Sequence, residues 1–121
     1  MRLRFDVYWL STAVLVGECA IGGTLDLLRA PPFFPVMIGL GYPAYLATIM
    51  GIAKLIAAAI MAAPRLRRLK EWAYAGVMIN MVGAAASHIA MRQAATALIA
   101  PLMFAAVALV SWGSRPPTRK L

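Results

Sequence analysis

Four long apolar stretches alternate along the chain with short polar or proline-containing segments. They cover roughly 7–28, 44–63, 72–91 and 94–113. A helix rises about 1.5 Å per residue, so stretches of about 20 residues cross a hydrocarbon core about 30 Å thick. Because that core contains no water, each stretch must be helical, with its own backbone hydrogen bonds satisfied. The pattern predicts an all-α integral membrane four-helix bundle that forms one domain over residues 1–121.

Short segments connect the four predicted helices. The first connection contains four prolines that exclude a continuous helix, namely Pro31, Pro32, Pro35 and Pro43. The apolar residues between these prolines predict a loop at the membrane interface. A basic turn over 64–70 follows the second helix, and Arg92-Gln93 forms a tight turn after the third. Pro101 lies inside the fourth stretch and predicts a kink there.

Composition and charge support a membrane protein and give it an orientation. The chain is 63% hydrophobic with a net charge of +8, and its basic residues cluster at the ends of the apolar stretches. This distribution indicates membrane orientation and no nucleic-acid partner. If the basic turn is cytoplasmic, nine flanking Lys and Arg residues lie inside and two outside, Arg29 and Arg92. We therefore expect a multi-pass protein of the cell membrane with both termini in the cytoplasm.

Five polar or ionisable residues fall within the apolar stretches: Glu18, Asp26, Lys54, Asn80 and His88. A charged side chain at the bilayer centre costs about 2.5–3.5 kcal/mol on insertion scales, so such residues normally face the bundle interior and pair. Counting from the helix ends predicts two layers. A middle layer holds Glu18 and Lys54 as an ion pair beside Asn80, and an outer layer holds an Asp26–His88 pair.

These layers define a candidate site. The ionisable groups with candidate catalytic roles are Glu18, Asp26 and His88. Residues that could contact a substrate are Lys54, Asn80, Tyr42, Tyr45 and Ser87. The competing interpretation is structural, because a Glu18–Lys54 pair also neutralises two costly charges and fixes helix packing. Cys19 is the single cysteine, which excludes a four-cysteine metal site, and no metal ligand set is predicted.

Several runs in the chain resemble the DoxX-like family. They are LGYPAYL at 40–46, GIAKL at 51–55, LKEWAYAG at 69–76, GAAASH at 83–88 and GTLDLL at 23–28. The resemblance covers nearly the whole chain and implies a four-helix membrane fold. The family is named for the small membrane subunits of an archaeal thiosulfate:quinone oxidoreductase, and other relatives are described as parts of membrane redox assemblies. It therefore implies a small lipophilic ligand, a quinone, and a redox partner subunit.

Three functions remain open at this point. The first is a quinone-contacting subunit of a membrane oxidoreductase, with no intrinsic cofactor, since one cysteine and one histidine cannot ligate an iron–sulfur cluster or a bis-histidine haem. The second is a stand-alone enzyme, an isomerase or cyclase, that uses a buried carboxylic acid on a lipophilic substrate. The third is a non-catalytic binding or structural subunit, including a homo-oligomer.

Overall fold

The computed structural model describes residues 2–31 and 33–119, and its regular elements are helical. In chain order the helices are α1 (Arg2–Leu27), α2 (Phe33–Gly39), α3 (Tyr45–Ala62), α4 (Arg67–Ala90) and α5 (Ile99–Gly113). A 3₁₀ turn over Ala95–Leu98 leads directly into α5. Within the described residues there is no β-strand. The predicted all-α fold is confirmed.

Within the described residues, four segments are long and apolar enough to cross a membrane: α1, α3, α4 and the segment Ala95–Gly113. Their outward faces carry large apolar side chains, including Leu10, Ile21 and Ile79, which are 70%, 65% and 74% exposed. In water such a surface would be an aggregation liability. In a bilayer it contacts lipid chains, so the protein is a multi-pass membrane protein in a lipid environment.

The helices form a ring in which each spanning helix has two neighbours. α1 packs most extensively against α3 and also contacts α5, while α4 packs against α5 and α3. α1 and α4 therefore lie diagonally across the bundle. The core between them is formed by small and medium apolar side chains such as Leu15, Cys19, Met61, Val77 and Ala108.

Two helices begin earlier than the apolar pattern predicts. α1 begins at Arg2 and α4 at Arg67, whereas the apolar stretches begin near residues 7 and 72. Arg, Leu, Lys and Glu are all good helix formers, so the helices continue through the polar residues that flank the spans. Hydropathy marks the part of a helix that lies in the hydrocarbon, which is shorter than the helix itself.

Two prolines lie inside helices, at positions where the sequence predicted a loop and a kink. The first connection is not only a loop, because α2 forms within it and contains Pro35 as its third residue. Pro101 is likewise the third residue of α5, so the irregularity in the last span is the preceding 3₁₀ turn and not a kink inside the helix. The first turn of a helix tolerates proline because its backbone N–H groups have no intrahelical partner.

One end of the bundle gathers the N-terminus, the connection before α4 and the C-terminal segment after α5. Here Arg119 Nη2 donates hydrogen bonds to the Met61 and Ala63 carbonyls at 2.6 and 3.0 Å, and Arg67 Nε donates to the Thr118 carbonyl at 3.2 Å. We call this the basic end. The end with the α1–α3 and α4–α5 connections is called the opposite end. The expectation that the basic end faces the cytoplasm stays a prediction.

Candidate functional site

A close crossing of α1 and α3 positions the ionisable residues of the bundle. Gly23 and Gly51 meet at this crossing, and a Cβ atom added to Gly51 would lie 2.8 Å from the Gly23 carbonyl oxygen and 2.7 Å from Leu27 Cγ. Only glycine permits backbones to approach so closely, as at other helix pairs in membranes. Lys54 follows Gly51 by one helical turn, so its side chain is directed along α1.

Lys54 lies between two carboxylates of α1, those of Glu18 and Asp26. Its Nζ atom is 3.2 Å from Asp26 Oδ2 and 3.8 Å from Glu18 Oε1. Asp26 is fully buried, and Glu18 is largely buried. The expected contact between Glu18 and Lys54 is therefore present, and Asp26 joins it. We call Glu18, Lys54 and Asp26 the acid–lysine cluster.

Several oxygens of this cluster have unused hydrogen-bonding capacity. Glu18 Oε2 and both carboxylate oxygens of Asp26 are buried and accept no hydrogen bond from any residue that the structure describes. The 3.2 Å contact of Asp26 with Lys54 is thus an ion pair whose geometry is not that of a hydrogen bond. Buried polar atoms are usually paired, and exceptions in a native fold often mark ligand or water positions. The cluster therefore has unmet hydrogen-bonding capacity that a further partner could use.

The predicted Asp26–His88 pair is wrong. Among the described residues, Asp26 forms its ion pair with Lys54, and the buried Nδ1 atom of His88 has no hydrogen-bond partner. The physical reason is the diagonal placement of α1 and α4, which separates the two side chains, whereas α3 lies directly against α1. The two predicted layers are replaced by one cluster that extends along α1.

Four further predicted residues lie on α3, on α4 or in the connection before α3. The hydroxyl groups of Tyr42 and Ser87 share a hydrogen bond, and Ser87 also donates to the Gly83 carbonyl at 2.8 Å. Tyr45 is 64% exposed and points away from the interior. Asn80 is half-buried, and its amide forms no hydrogen bond within residues 2–31 and 33–119. The structure thus joins Tyr42 to Ser87 but joins neither Tyr45 nor Asn80 to the acid–lysine cluster by a hydrogen bond.

An open groove between α1 and α5 reaches the acid–lysine cluster from the lipid side. Its volume is about 430 Å³, and its walls are almost entirely apolar. Glu18 is the polar residue in its lining, which otherwise consists of Ala13, Val14, Gly17, Ile21, Gly22, Leu25 and Phe104. We call this the α1–α5 groove. Glu18 therefore belongs both to this groove and to the acid–lysine cluster.

A second set of buried polar residues near the basic end was not predicted. Ser111 Oγ lies 2.6 Å from both Thr12 Oγ1 and Tyr74 Oη, so a serine on α5 links α1 and α4. Tyr8 and Thr12 are four residues apart on α1 and therefore lie on one helix face, and this spacing is the sequence signal for the set.

Two basic side chains of the basic end are buried, although both lie in polar, basic segments of the sequence. Lys70 donates to the Ile60 carbonyl at 2.6 Å and to the Ala63 carbonyl. Arg119 donates to Tyr8 Oη at 2.6 Å, and its guanidinium lies 4.9 Å from the Trp9 ring centroid. These cations satisfy the free carbonyl groups at the C-terminus of α3, which also attract positive charge. They close the basic end of the bundle.

Comparison with known proteins assigns the chain to a family. No curated protein sequence and no solved structure matches it. A family model described as the DoxX-like family matches residues 10–111. The match includes all of α3 and α4, and it leaves out only residues 2–9 of α1 and 112–113 of the last span. Because this match covers most of the chain, the protein belongs to the DoxX-like family.

Proposed function

We propose that this protein binds the headgroup of a quinone in the α1–α5 groove, as the membrane-embedded subunit of an oxidoreductase. One observation carries the proposal: the groove combines apolar walls with a buried carboxylate oxygen, Glu18 Oε2, that has no hydrogen-bond partner among the described residues. When Glu18 is protonated, its carboxyl group can donate a hydrogen bond, so a ligand for this groove should be apolar on its faces and carry an acceptor oxygen at its edge. Quinones meet both requirements.

The shape of the groove suits a flat ring. The α1 side of the groove includes residues with small or no side chains, namely Ala13, Gly17 and Gly22. Phe104 on α5 contributes an aromatic ring to the lining. A volume of about 430 Å³ falls in the range of small-molecule sites, which are mostly apolar with a few oriented polar groups. The groove opens to lipid, so a ligand with an isoprenoid tail can enter while its tail stays in the bilayer.

A smaller groove between α4 and α5 is a weaker candidate for this ligand. It has a volume of about 240 Å³ and also contains a carboxylate, that of Glu71. Glu71 forms an ion pair with Arg115 and accepts a hydrogen bond from Trp112 Nε1 at 2.9 Å. Its carboxylate is already satisfied, whereas the carboxyl group of Glu18 has a free oxygen. The α1–α5 groove is therefore the site we assign to the ligand.

The proposal assigns electron transfer to a partner subunit. Reduction of a quinone to a quinol consumes two electrons and two protons, and this chain has too few cysteines and histidines to hold an iron–sulfur cluster or a bis-histidine haem by itself. A flavin- or metal-containing partner would supply the electrons. This chain would hold the quinone ring and place an exchangeable proton, that of Glu18, beside one carbonyl oxygen.

Photolabelling of variants with a blocked groove tests the proposal. Gly17 lines the α1–α5 groove, and a Cβ atom added there meets no atom within 4 Å, so Gly17→Val fills the groove without disturbing the bundle. We expect labelling of the variant by a photoreactive short-chain quinone in lipid nanodiscs to require at least ~10-fold more quinone. This change corresponds to about 1.4 kcal/mol of binding free energy. The adduct in the wild-type protein should map to α1 or α5.

Gly83→Val is the matched control. Gly83 is exposed on α4, outside the groove, and an added Cβ atom there also meets nothing within 4 Å. This variant should be labelled like the wild-type protein. Equal labelling of Gly17→Val and wild type, or an adduct confined to α3 and α4, would contradict the assignment of the ligand to this groove.

A further inference from the structure

The acid–lysine cluster contains two acids and one lysine, so it carries a net charge of −1 when all three groups are ionised. Among the residues that the structure describes, no basic side chain other than Lys54 lies within 4 Å of either carboxylate. α2 and α5 contain no ionisable residue, and His88 of α4 makes no ion pair with the cluster. The negative charge is thus uncompensated within the described part of the bundle.

An uncompensated charge at this depth is unfavourable, because neither lipid nor apolar side chains solvate it. Binding one proton makes the cluster neutral, and the geometry indicates which acid takes it. Lys54 Nζ is closer to Asp26, at 3.2 Å, than to Glu18, at 3.8 Å. Asp26 is also fully buried, whereas Glu18 lines the α1–α5 groove.

We infer that the cluster holds one proton on Glu18, while Asp26 remains ionised as the permanent counter-ion of Lys54. The groove then presents a neutral carboxylic acid to its ligand. Asp26 is a positioning residue in this scheme, because it acts on the ligand only by engaging Lys54 and leaving Glu18 protonated.

The inferred protonation state determines which form of the ligand binds, and this step rests on the proposed quinone site. A protonated carboxyl group donates a hydrogen bond through its O–H, so it prefers an acceptor such as a quinone carbonyl. An ionised carboxylate only accepts and would prefer the hydroxyl group of a quinol. The groove should therefore favour the oxidised quinone over the quinol.

Infrared spectroscopy of the ligand-free protein in lipid membranes tests the inference directly. At neutral pH we expect one carbonyl band from a protonated carboxylic acid, and this band should shift when the protein is made with ¹³C-labelled glutamate. The chain has two glutamates, Glu18 and Glu71, so loss of the band in Glu18→Gln and its retention in Glu71→Gln identify the group. Absence of the band, or a shift with ¹³C-labelled aspartate instead, would overturn the inference.

Asp26→Asn provides a second test with a ligand readout. The variant leaves one acid and one lysine, so Glu18 should ionise to pair with Lys54 and the infrared band should disappear. The ratio of quinone to quinol affinity should then fall by at least ~10-fold, because Glu18 has become an acceptor. An unchanged ratio would contradict the role of Asp26. A wild-type band without quinone labelling would refute the proposed function and leave the protonation inference intact.

Discussion

The buried polar side chains of this protein differ in how fully their hydrogen-bonding capacity is used. Near the basic end, Ser111 bonds to both Thr12 and Tyr74, so three hydroxyl groups satisfy one another. In the acid–lysine cluster, Glu18 Oε2 and both Asp26 oxygens accept no hydrogen bond among the described residues. Satisfied networks hold helices together, whereas unsatisfied groups remain available to a ligand. The first set therefore stabilises the bundle, and the second set is where we propose that a ligand binds.

Removal of the Ser111 hydroxyl should destabilise the bundle. In Ser111→Ala, the buried hydroxyl groups of Thr12 and Tyr74 lose their common partner, and we expect a loss of about 1–2 kcal/mol in the free energy of unfolding. Thermal unfolding in detergent measures the change. Ser114→Ala is a suitable control, because the Ser114 hydroxyl bonds to carbonyls of its own helix, at 2.6 and 3.4 Å. Equal melting of the two variants would argue against a stabilising network.

At the scale of the helices, the α1–α3 crossing determines where the ionisable side chains meet. Its closeness depends on Gly23 and Gly51, whose backbones leave no space for a side chain. The crossing turns the face of α3 that carries Lys54 toward the face of α1 that carries both acids. Helix packing and site geometry are therefore coupled, since a wider crossing would lengthen both ion pairs.

An added methyl group at Gly51 should force the two helices apart. Because its Cβ atom would lie 2.8 Å from a backbone oxygen and 3.0 Å from the Leu27 backbone nitrogen, relaxation requires a shift of the backbone. We expect Gly51→Ala to lower the free energy of unfolding by about 1–3 kcal/mol. In Gly83→Ala the added atom meets nothing within 4 Å, so this control should be neutral or slightly stabilised. A Gly51→Ala protein as stable as this control would show that the crossing is looser than described.

At the scale of the whole molecule, the two ends of the bundle differ in charge. The basic end contains the N-terminus, the basic turn before α4 and the C-terminal segment, with Lys70 and Arg119 buried against the end of α3. The opposite end carries Arg29 and Arg92. Such an asymmetry determines orientation during insertion, because positively charged loops remain in the cytoplasm.

Cysteine accessibility tests this orientation. In a Cys19→Ala background, which removes the single buried thiol, we expect a membrane-impermeant maleimide to label Gln93→Cys in intact cells. The same reagent should label Arg65→Cys only after the membrane is permeabilised. Both positions are exposed in connections between helices, so they form a matched pair. Labelling of Arg65→Cys in intact cells would show that the protein has the opposite orientation.

The hydropathy of the chain was enough to predict a helical membrane protein with four spans. Four apolar stretches of membrane-crossing length can satisfy their backbone hydrogen bonds in lipid only as helices, so hydropathy was sufficient. It also identified Glu18, Asp26 and Lys54 as exceptional, because a charge within an apolar stretch needs a partner wherever the helix packs.

Which polar side chains contact one another depends on how the helices pack. Lys54 pairs with Asp26 as well as Glu18, and His88 pairs with neither, because α3 lies beside α1 while α4 lies across the bundle. The Thr12–Ser111 bond and the contacts of Arg119 likewise join residues far apart in the chain. The periodicity of a helix shows on which face a residue lies, but it does not show which other helix packs against that face. The choice of neighbour depends on close approaches such as that of Gly23 and Gly51, which form only when the whole bundle packs.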